Sequence, residues 1–192
     1  MTTRKPFDED SILAERASRG DRAAFAVLVE KYQGPIHGYA LHFFRNSESA
    51  ADVAQDTFLR AFRFLHTYDA SRRFATWLYT IARNLCIDRH RDDRRREQLG
   101  AEAGGAAIGA GTNFSEGPLA ILEGREDRAR LAAAIRELPE KYRTPLVLCY
   151  AQGLPYQEIS EILGISLNNT KIRIFRAKKL LLRELGLVED AP

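Results

Sequence analysis

The sequence predicts an all-α protein with an N-terminal helical bundle and a C-terminal helix-turn-helix domain, joined by a flexible linker. Apolar residues recur at helical spacing in both parts of the chain, and alternating, strand-like segments are missing. A glycine-rich stretch separates the two parts, which predicts a first domain over residues 1–96, a linker over 97–118 and a second domain over 119–192. The 192 residues suffice for one medium domain or two small ones.

Four helices are predicted in the first domain. The first covers roughly Asp10 to Arg19, and the second begins at the Gly20–Asp21 cap. The third starts after Asn46–Ser47, and the fourth runs from about Ala75 to Arg96. Their inward stripes are apolar at spacings of three and four residues: Phe25, Leu28, Val29, Tyr32, Ile36 and Tyr39 in the second helix, Val53, Phe58, Phe62 and Leu65 in the third, and Trp77, Leu78, Ile81 and Leu85 in the fourth.

Composition changes abruptly after the fourth helix. The segment from Glu97 to Glu116 has too few large apolar residues for a core and too many glycines for a helix, which predicts the linker. Helical signals resume near Leu119 and continue to about Glu137. Pro139 then opens a helix that ends at Gly153, and Pro145 should kink it because proline removes an amide donor.

The last two helices predict a helix-turn-helix. A short amphipathic helix from Tyr156 stops at Gly164, which can adopt a positive φ, and a longer helix begins after the cap Ser166 and runs to about Leu185. Between Asn168 and Arg183 this helix carries no acidic residue. Its basic residues are Lys171, Arg173, Arg176, Lys178, Lys179 and Arg183. A helix of one charge sign after a short helix and a turn is typical of a reader of duplex DNA.

A second basic run ends the fourth helix of the first domain. It comprises Arg83, Arg89, Arg91, Arg94, Arg95 and Arg96, interrupted by Asp88, Asp92 and Asp93. Such a run can be a solvated face, but the preceding loop from Tyr68 to Phe74 combines aromatic residues and arginines. That combination stacks unpaired bases and follows a nucleic-acid backbone. The spacing of Trp77 places most of its ring in the core.

Composition and residue types argue against several function classes. The longest apolar stretches fall far short of the ~20 residues that a membrane span needs, so we expect a cytoplasmic protein with no membrane insertion. Cys86 and Cys149 lie far apart and no cluster has metal-ligand spacing, which predicts no metal and no cofactor. Because a phosphate loop, a nucleophile elbow and an acid/base carboxylate pair are all missing, we do not expect an enzyme.

Four segments in order resemble one known family. They are Asp52-Val-Ala-Gln-Asp-Thr-Phe58, the segment from Phe74 to Asn84, the pair Leu138-Pro139, and the closing helix-turn-helix. From about Phe25 to Leu185 the chain resembles the extracytoplasmic-function sigma factors, which are promoter-specificity subunits of bacterial RNA polymerase. The chain departs from the family pattern at two places: the reading helix begins Asn168-Asn169-Thr170-Lys171 where many relatives have Gly-Thr-Val-Lys, and Phe175 stands where many have histidine.

The resemblance implies three sets of functional residues. Residues on the polar face of the third helix would dock on the clamp helices of the largest subunit of core polymerase: Asp52, Gln55 and Asp56. The loop and the fourth helix would contact the minus-ten element and hold a flipped base of the non-template strand: Asp69, Ser71, Arg72, Arg73, Phe74, Arg83 and Asn84. The closing helix would enter the major groove of the minus-thirty-five element: Asn168, Asn169, Thr170, Lys171, Arg173 and Arg176.

Several interpretations remain open from the sequence. An anti-sigma factor is a common partner in this family, and two basic faces joined by a long tether leave room for one. The acidic linker is either a soluble tether or a mimic of RNA charge in the polymerase channel. Because Trp77 is followed by Leu78 where housekeeping relatives have a second tryptophan, weaker melting and stringent promoter choice are expected. The alternative to the whole interpretation is a free-standing helix-turn-helix regulator that binds an operator.

Overall fold

A computed structural model describes residues 9–44, 46–98 and 125–187. Within these ranges the regular elements are helices, which confirms the all-α class. In chain order they are α1 (Glu9–Ser18), α2 (Arg22–Leu41), α3 (Ser47–Phe64), a 3₁₀ turn (Leu65–Thr67), α4 (Phe74–Gln98), α5 (Arg125–Glu137), α6 (Glu140–Tyr150), α7 (Tyr156–Leu163) and α8 (Leu167–Glu184). The predicted linker lies outside the described residues, except for residues 97 and 98, which continue α4. The helix start expected near Leu119 lies outside them as well.

Local capping chemistry sets the predicted helix ends. The carboxylate of Asp21 accepts a hydrogen bond from the amide of Ala24 at 3.0 Å and begins α2. The hydroxyl of Ser166 accepts from the amide of Asn169 at 3.2 Å and begins α8. Gly164 has φ +64°, the left-handed conformation that ends α7 and turns the chain into α8. These three features confirm the predicted caps.

The core of the first domain forms where α1, α2, α3 and α4 meet. Leu28, Ile36 and Tyr39 of α2 are almost completely buried, as is Leu78 of α4. The Tyr39 ring packs edge-on against Tyr79, with their centroids 5.6 Å apart. These contacts join α2 and α4 across the bundle.

The predicted inward stripe of α3 is wrong at Phe62, whose side chain is 52% exposed. The buried face of α3 consists mainly of small residues, with Val53, Ala54 and Ala61 among them. Small side chains let α3 approach its neighbours closely, so the bulky Phe62 lies at the edge of the contact, where its ring centroid is 5.2 Å from that of Phe25.

Buried apolar side chains of the second domain gather around α6. Leu146, Val147 and Leu148 of α6 are completely buried, because α7 and α8 both pack against this helix. Pro145 lies inside α6, as expected from the sequence. Ile159 of α7 and Ile174 of α8 complete the core, which holds the last two helices in a helix-turn-helix arrangement. No helix among the described parts of the chain is long and apolar enough to span a bilayer.

His42 is a buried histidine directly after α2. Burial lowers its pKa from 6.5 to about 4, and the positive charges of Arg136 and Arg143 act in the same direction. Between these two pH values the unfolded chain binds a proton at His42 that the folded chain does not bind.

Acidification should therefore destabilise the protein through His42. The free energy of unfolding should fall as the pH drops below about 6.5, by about 1.4 kcal/mol per pH unit from this group alone. His42→Gln removes the titrating ring, so the wild type should lose about 2 kcal/mol more than the variant between pH 6.5 and pH 5. Urea unfolding of both proteins at the two pH values measures the difference, and equal losses would contradict the assignment.

Candidate nucleic-acid and protein interfaces

The predicted polar face of α3 is tied to α4 by one arginine. Arg89 places Nη2 2.8 Å from Oδ2 of Asp52 and Nη1 3.8 Å from Oδ2 of Asp56. Both carboxylates stay about half exposed, and Gln55 is exposed beside them. The three predicted docking residues therefore lie together on an accessible surface, with an arginine that fixes the two carboxylates.

An apolar groove of about 620 Å³ lies next to this polar face, between α2 and α3. Gln55 is on its rim, and Leu59 and Phe62 line it with exposed fractions of 59% and 52%. The helical spacing of Gln55, Leu59 and Phe62 puts them on one side of α3. Sequence reasoning missed this apolar part because it assigned Phe62 to the core stripe. The helical spacing of Leu59 and Phe62 from Gln55 could have indicated that all three residues share one side of α3.

The loop before α4 is held by its own hydrogen bonds. Oδ1 of Asp69 accepts from the amide of Ser71 at 2.9 Å, and this hydrogen bond lowers the pKa of Asp69. The Tyr68 hydroxyl donates to the carbonyl of Arg72 at 2.6 Å. The side chains of Ser71 and Arg72 are exposed, so the predicted minus-ten loop presents them on a fixed backbone.

Phe74 has a different environment from the other residues predicted for the minus-ten contact. Its side chain is fully buried, and its ring packs 5.8 Å from the rings of both Tyr68 and Trp77. Phe74 therefore anchors the loop to the first domain and offers no surface for a base in this conformation. Trp77 is half-buried against the same rings, as the spacing predicted.

The predicted residues of the reading helix α8 differ in accessibility. Asn168, Lys171 and Arg176 are exposed. Thr170 is completely buried, and its hydroxyl donates to the carbonyl of Ser166, four residues earlier, at 3.2 Å, so its side chain offers no surface to DNA in this conformation. Nε of Arg173 donates to Oδ1 of Asn169 at 3.2 Å, which orients these two side chains relative to each other. Two exposed apolar residues that the prediction omitted, Ile172 and Phe175, lie on the same helix.

The two domains pack against each other through α4 and α7. Nη1 of Arg73 lies 2.6 Å from Oε1 of Glu158, whose side chain is only 2% exposed. The Thr76 hydroxyl is 3.4 Å from the other oxygen of the same carboxylate. The Tyr79 hydroxyl donates to Oε1 of Gln152 at 2.6 Å. A residue predicted to contact the minus-ten element is therefore bound by the helix-turn-helix domain.

A cavity of about 340 Å³ lies along this junction. Arg83 of α4 and Arg173 of α8 both line it, so a residue predicted for each promoter element faces the same space. The guanidinium of Arg143 also joins the two domains, because it lies 5.2 Å from the ring centroid of Phe43, just after α2. Asn84, the other predicted residue of α4 here, is exposed and accepts a hydrogen bond from Arg83 at 3.2 Å. The sequence could not reveal this junction, because its partners are more than 70 residues apart.

Comparison with known proteins assigns the family. Residues 28–96 match the family model for sigma-70 region 2, and residues 128–181 match that for sigma-70 region 4. The chain is 35% identical to the ECF RNA polymerase sigma factor SigW of Bacillus subtilis over 89% of this chain and 94% of SigW. The chain belongs to the extracytoplasmic-function sigma factors. It is a promoter-specificity subunit of bacterial RNA polymerase.

Other known sigma factors also match this chain over most of its length. The RNA polymerase sigma-H factor of Pseudomonas aeruginosa is 33% identical, with 90% of this chain and 91% of that protein covered. Among solved structures, CnrH in complex with the cytosolic domain of CnrY aligns with a TM-score of 0.72 at 28% identity, covering 95% of this chain and all of that one. The similarity to CnrH includes both helical domains of the sigma factor, since the aligned region covers nearly the whole chain.

Proposed function

We propose that three surfaces divide promoter recognition between the two domains. The first domain, residues 1–96, binds core polymerase through α3 and opens the minus-ten element with the loop before α4. The second domain, residues 119–192, reads the minus-thirty-five element with α8, and residues 97–118 connect the two. The observation that carries this proposal is the combination of an acidic, apolar face on α3 with a helix, α8, that has no acidic residue before Glu184.

Charge and shape together support the role of α3 in polymerase binding. Asp52 and Asp56 are half-exposed carboxylates, and the groove beside Gln55 exposes apolar carbon. An amphipathic helical surface with basic residues beside apolar ones would be complementary to both parts. We propose that the clamp helices of the largest polymerase subunit supply this surface.

Exposure separates the proposed minus-ten residues into contacts and supports. Ser71, Arg72 and Asn84 have accessible side chains that can meet the non-template strand. Asp69 fixes the loop through the amide of Ser71, and Phe74 anchors it from below. Arg73 pairs with Glu158 in this arrangement, so separation of the junction would free its guanidinium for DNA.

An anti-sigma factor is proposed as the regulatory partner. CnrH was solved bound to the cytosolic domain of CnrY, and its similarity to this chain spans both domains. We propose that an anti-sigma factor binds this sigma factor and holds its two domains together. We also propose that the sigma factor acts in the cytoplasm and contributes no catalytic site of its own, since the polymerase carries out the chemistry of transcription.

Binding of promoter DNA with and without core polymerase tests this proposal against a free-standing regulator. The sigma factor alone should bind duplex promoter DNA weakly and lose affinity steeply with salt, whereas the complex with core polymerase should open one specific promoter. Permanganate reactivity of unpaired thymines reports the opening. If the isolated protein protects a palindromic site with nanomolar affinity and core polymerase adds no opening, the chain is a free-standing regulator.

A further inference from the structure

The outward face of α8 carries an apolar ridge formed by Ile172 and Phe175. Their side chains are 41% and 70% exposed, while the opposite face of α8 buries Ile174 and Leu181 in the domain core. Ile172 lies four residues after Asn168 and four before Arg176, so it occupies the middle of the stripe that faces away from the protein. Ile172 therefore places an apolar side chain at the centre of the outward face of α8.

Charge complementarity identifies what covers the ridge. Three exposed basic residues flank the ridge: Lys171, Arg176 and Lys179. A surface of this kind is attracted to the phosphate backbone, which would bring the helix into the major groove with the ridge at its centre. The occupant that fits both features is duplex DNA, with phosphates on the flanks and base edges under Ile172.

The chemistry of the major groove leaves one target for an apolar side chain. Thymine alone presents a methyl group there, whereas cytosine carries a hydrogen at the same ring position and the purines present hydrogen-bond donors and acceptors. An isoleucine side chain gains nothing from a donor or an acceptor, but it can bury that methyl group. Asn168 and Arg176, one turn away on either side, can provide the polar contacts to neighbouring bases or phosphates.

We propose that Ile172 reads the methyl group of a thymine in the minus-thirty-five element, with Phe175 enclosing the contact from the next turn. The proposal rests on the proposed role of α8 as the reader of that element. It makes Ile172 a determinant of promoter specificity beyond the polar residues assigned to the helix. Burial of one methyl group should change the affinity of the holoenzyme for the promoter about three- to fivefold.

Deoxyuridine provides a direct test, because it differs from thymidine only by the missing methyl group. A promoter is first selected by mapping transcripts that the holoenzyme initiates on fragmented genomic DNA. Each thymine of its minus-thirty-five element is then replaced in turn by deoxyuridine, and holoenzyme affinity is measured by competition. At one position the wild type should bind the deoxyuridine promoter about three- to fivefold more weakly. Ile172→Ser should bind the two promoters equally, and Ile172→Val should keep most of the discrimination.

Lys179→Gln is the matched control on the same exposed side of α8. It should weaken binding to both promoters by the same factor, so the ratio between thymine and deoxyuridine should stay at the wild-type value. A wild type that ignores every replacement, or an Ile172→Ser variant that retains the wild-type ratio, would overturn the proposal and assign the ridge to a protein partner. Promoter-specific transcripts would still appear in that case. Their complete absence on unmodified DNA would overturn the proposed function as well.

Discussion

Replacing Asp56 with arginine should lower the affinity for core polymerase by about a hundredfold, which corresponds to about 3 kcal/mol. Asp56 is a half-exposed carboxylate on the proposed docking face, 3.8 Å from a nitrogen of Arg89. The substitution places two positive charges side by side where the partner is expected to be basic. Fluorescence anisotropy of the labelled sigma factor, titrated with core polymerase, measures the change.

The control for this substitution makes the same charge change on a different surface. Glu161 is an exposed glutamate of α7 in the second domain, whereas the docking face and the groove belong to α2 and α3 of the first domain. Glu161→Arg should bind core polymerase within about threefold of the wild type, because a surface charge far from an interface contributes little. Circular dichroism should show the same helical content for both variants. A similar loss of affinity in the two proteins would contradict the assignment of the docking face to Asp52, Gln55 and Asp56.

Neutralising Glu158 should raise the ratio of molecules with separated domains to closed molecules at least tenfold. Glu158→Gln keeps the shape of the side chain but removes the charge that pairs with Arg73 at 2.6 Å. A hydrogen bond to a charged group typically contributes about 1.5–3 kcal/mol, and the half-exposed Arg73 would be hydrated after separation. The free protein should then bind promoter DNA more tightly, because Arg73 becomes available.

Distances between spin labels on the two domains measure this shift. Labels at Glu30→Cys and Lys179→Cys, in a Cys149→Ser background that removes the half-buried native thiol, report the separation. Glu161→Gln is the matched control, since Glu161 is an exposed glutamate on the same helix as Glu158. Its distance distribution should equal that of the unsubstituted protein. If Glu158→Gln also left the distribution unchanged, the contact between Arg73 and Glu158 would not hold the domains together.

Local chemistry explains why much of the fold could be predicted from the sequence. The ends of α2, α7 and α8 depend on Asp21, Gly164 and Ser166, whose capping geometry involves residues only a few positions away. Helical periodicity likewise identified the buried side of α2 at Leu28 and Ile36. Signals of this kind do not depend on how distant parts of the chain meet.

Residues whose environment depends on tertiary packing could not be assigned in the same way. Phe62 has the spacing of a core residue but is exposed, because smaller side chains form the contact of α3 with its neighbours. Phe74 and Thr170 belong to motifs that the family resemblance associates with DNA, yet both side chains are buried. The pairing of Arg73 with Glu158 joins residues 85 positions apart, and no local pattern indicates it.

Run-off transcription of fragmented genomic DNA tests the central claim most directly. Core polymerase with this sigma factor should produce transcripts from a limited set of starts whose upstream sequences share two elements. Core polymerase alone, or with Asp56→Arg at a limiting concentration, should produce none of them. The account would be contradicted if the chain left the transcript starts of core polymerase unchanged.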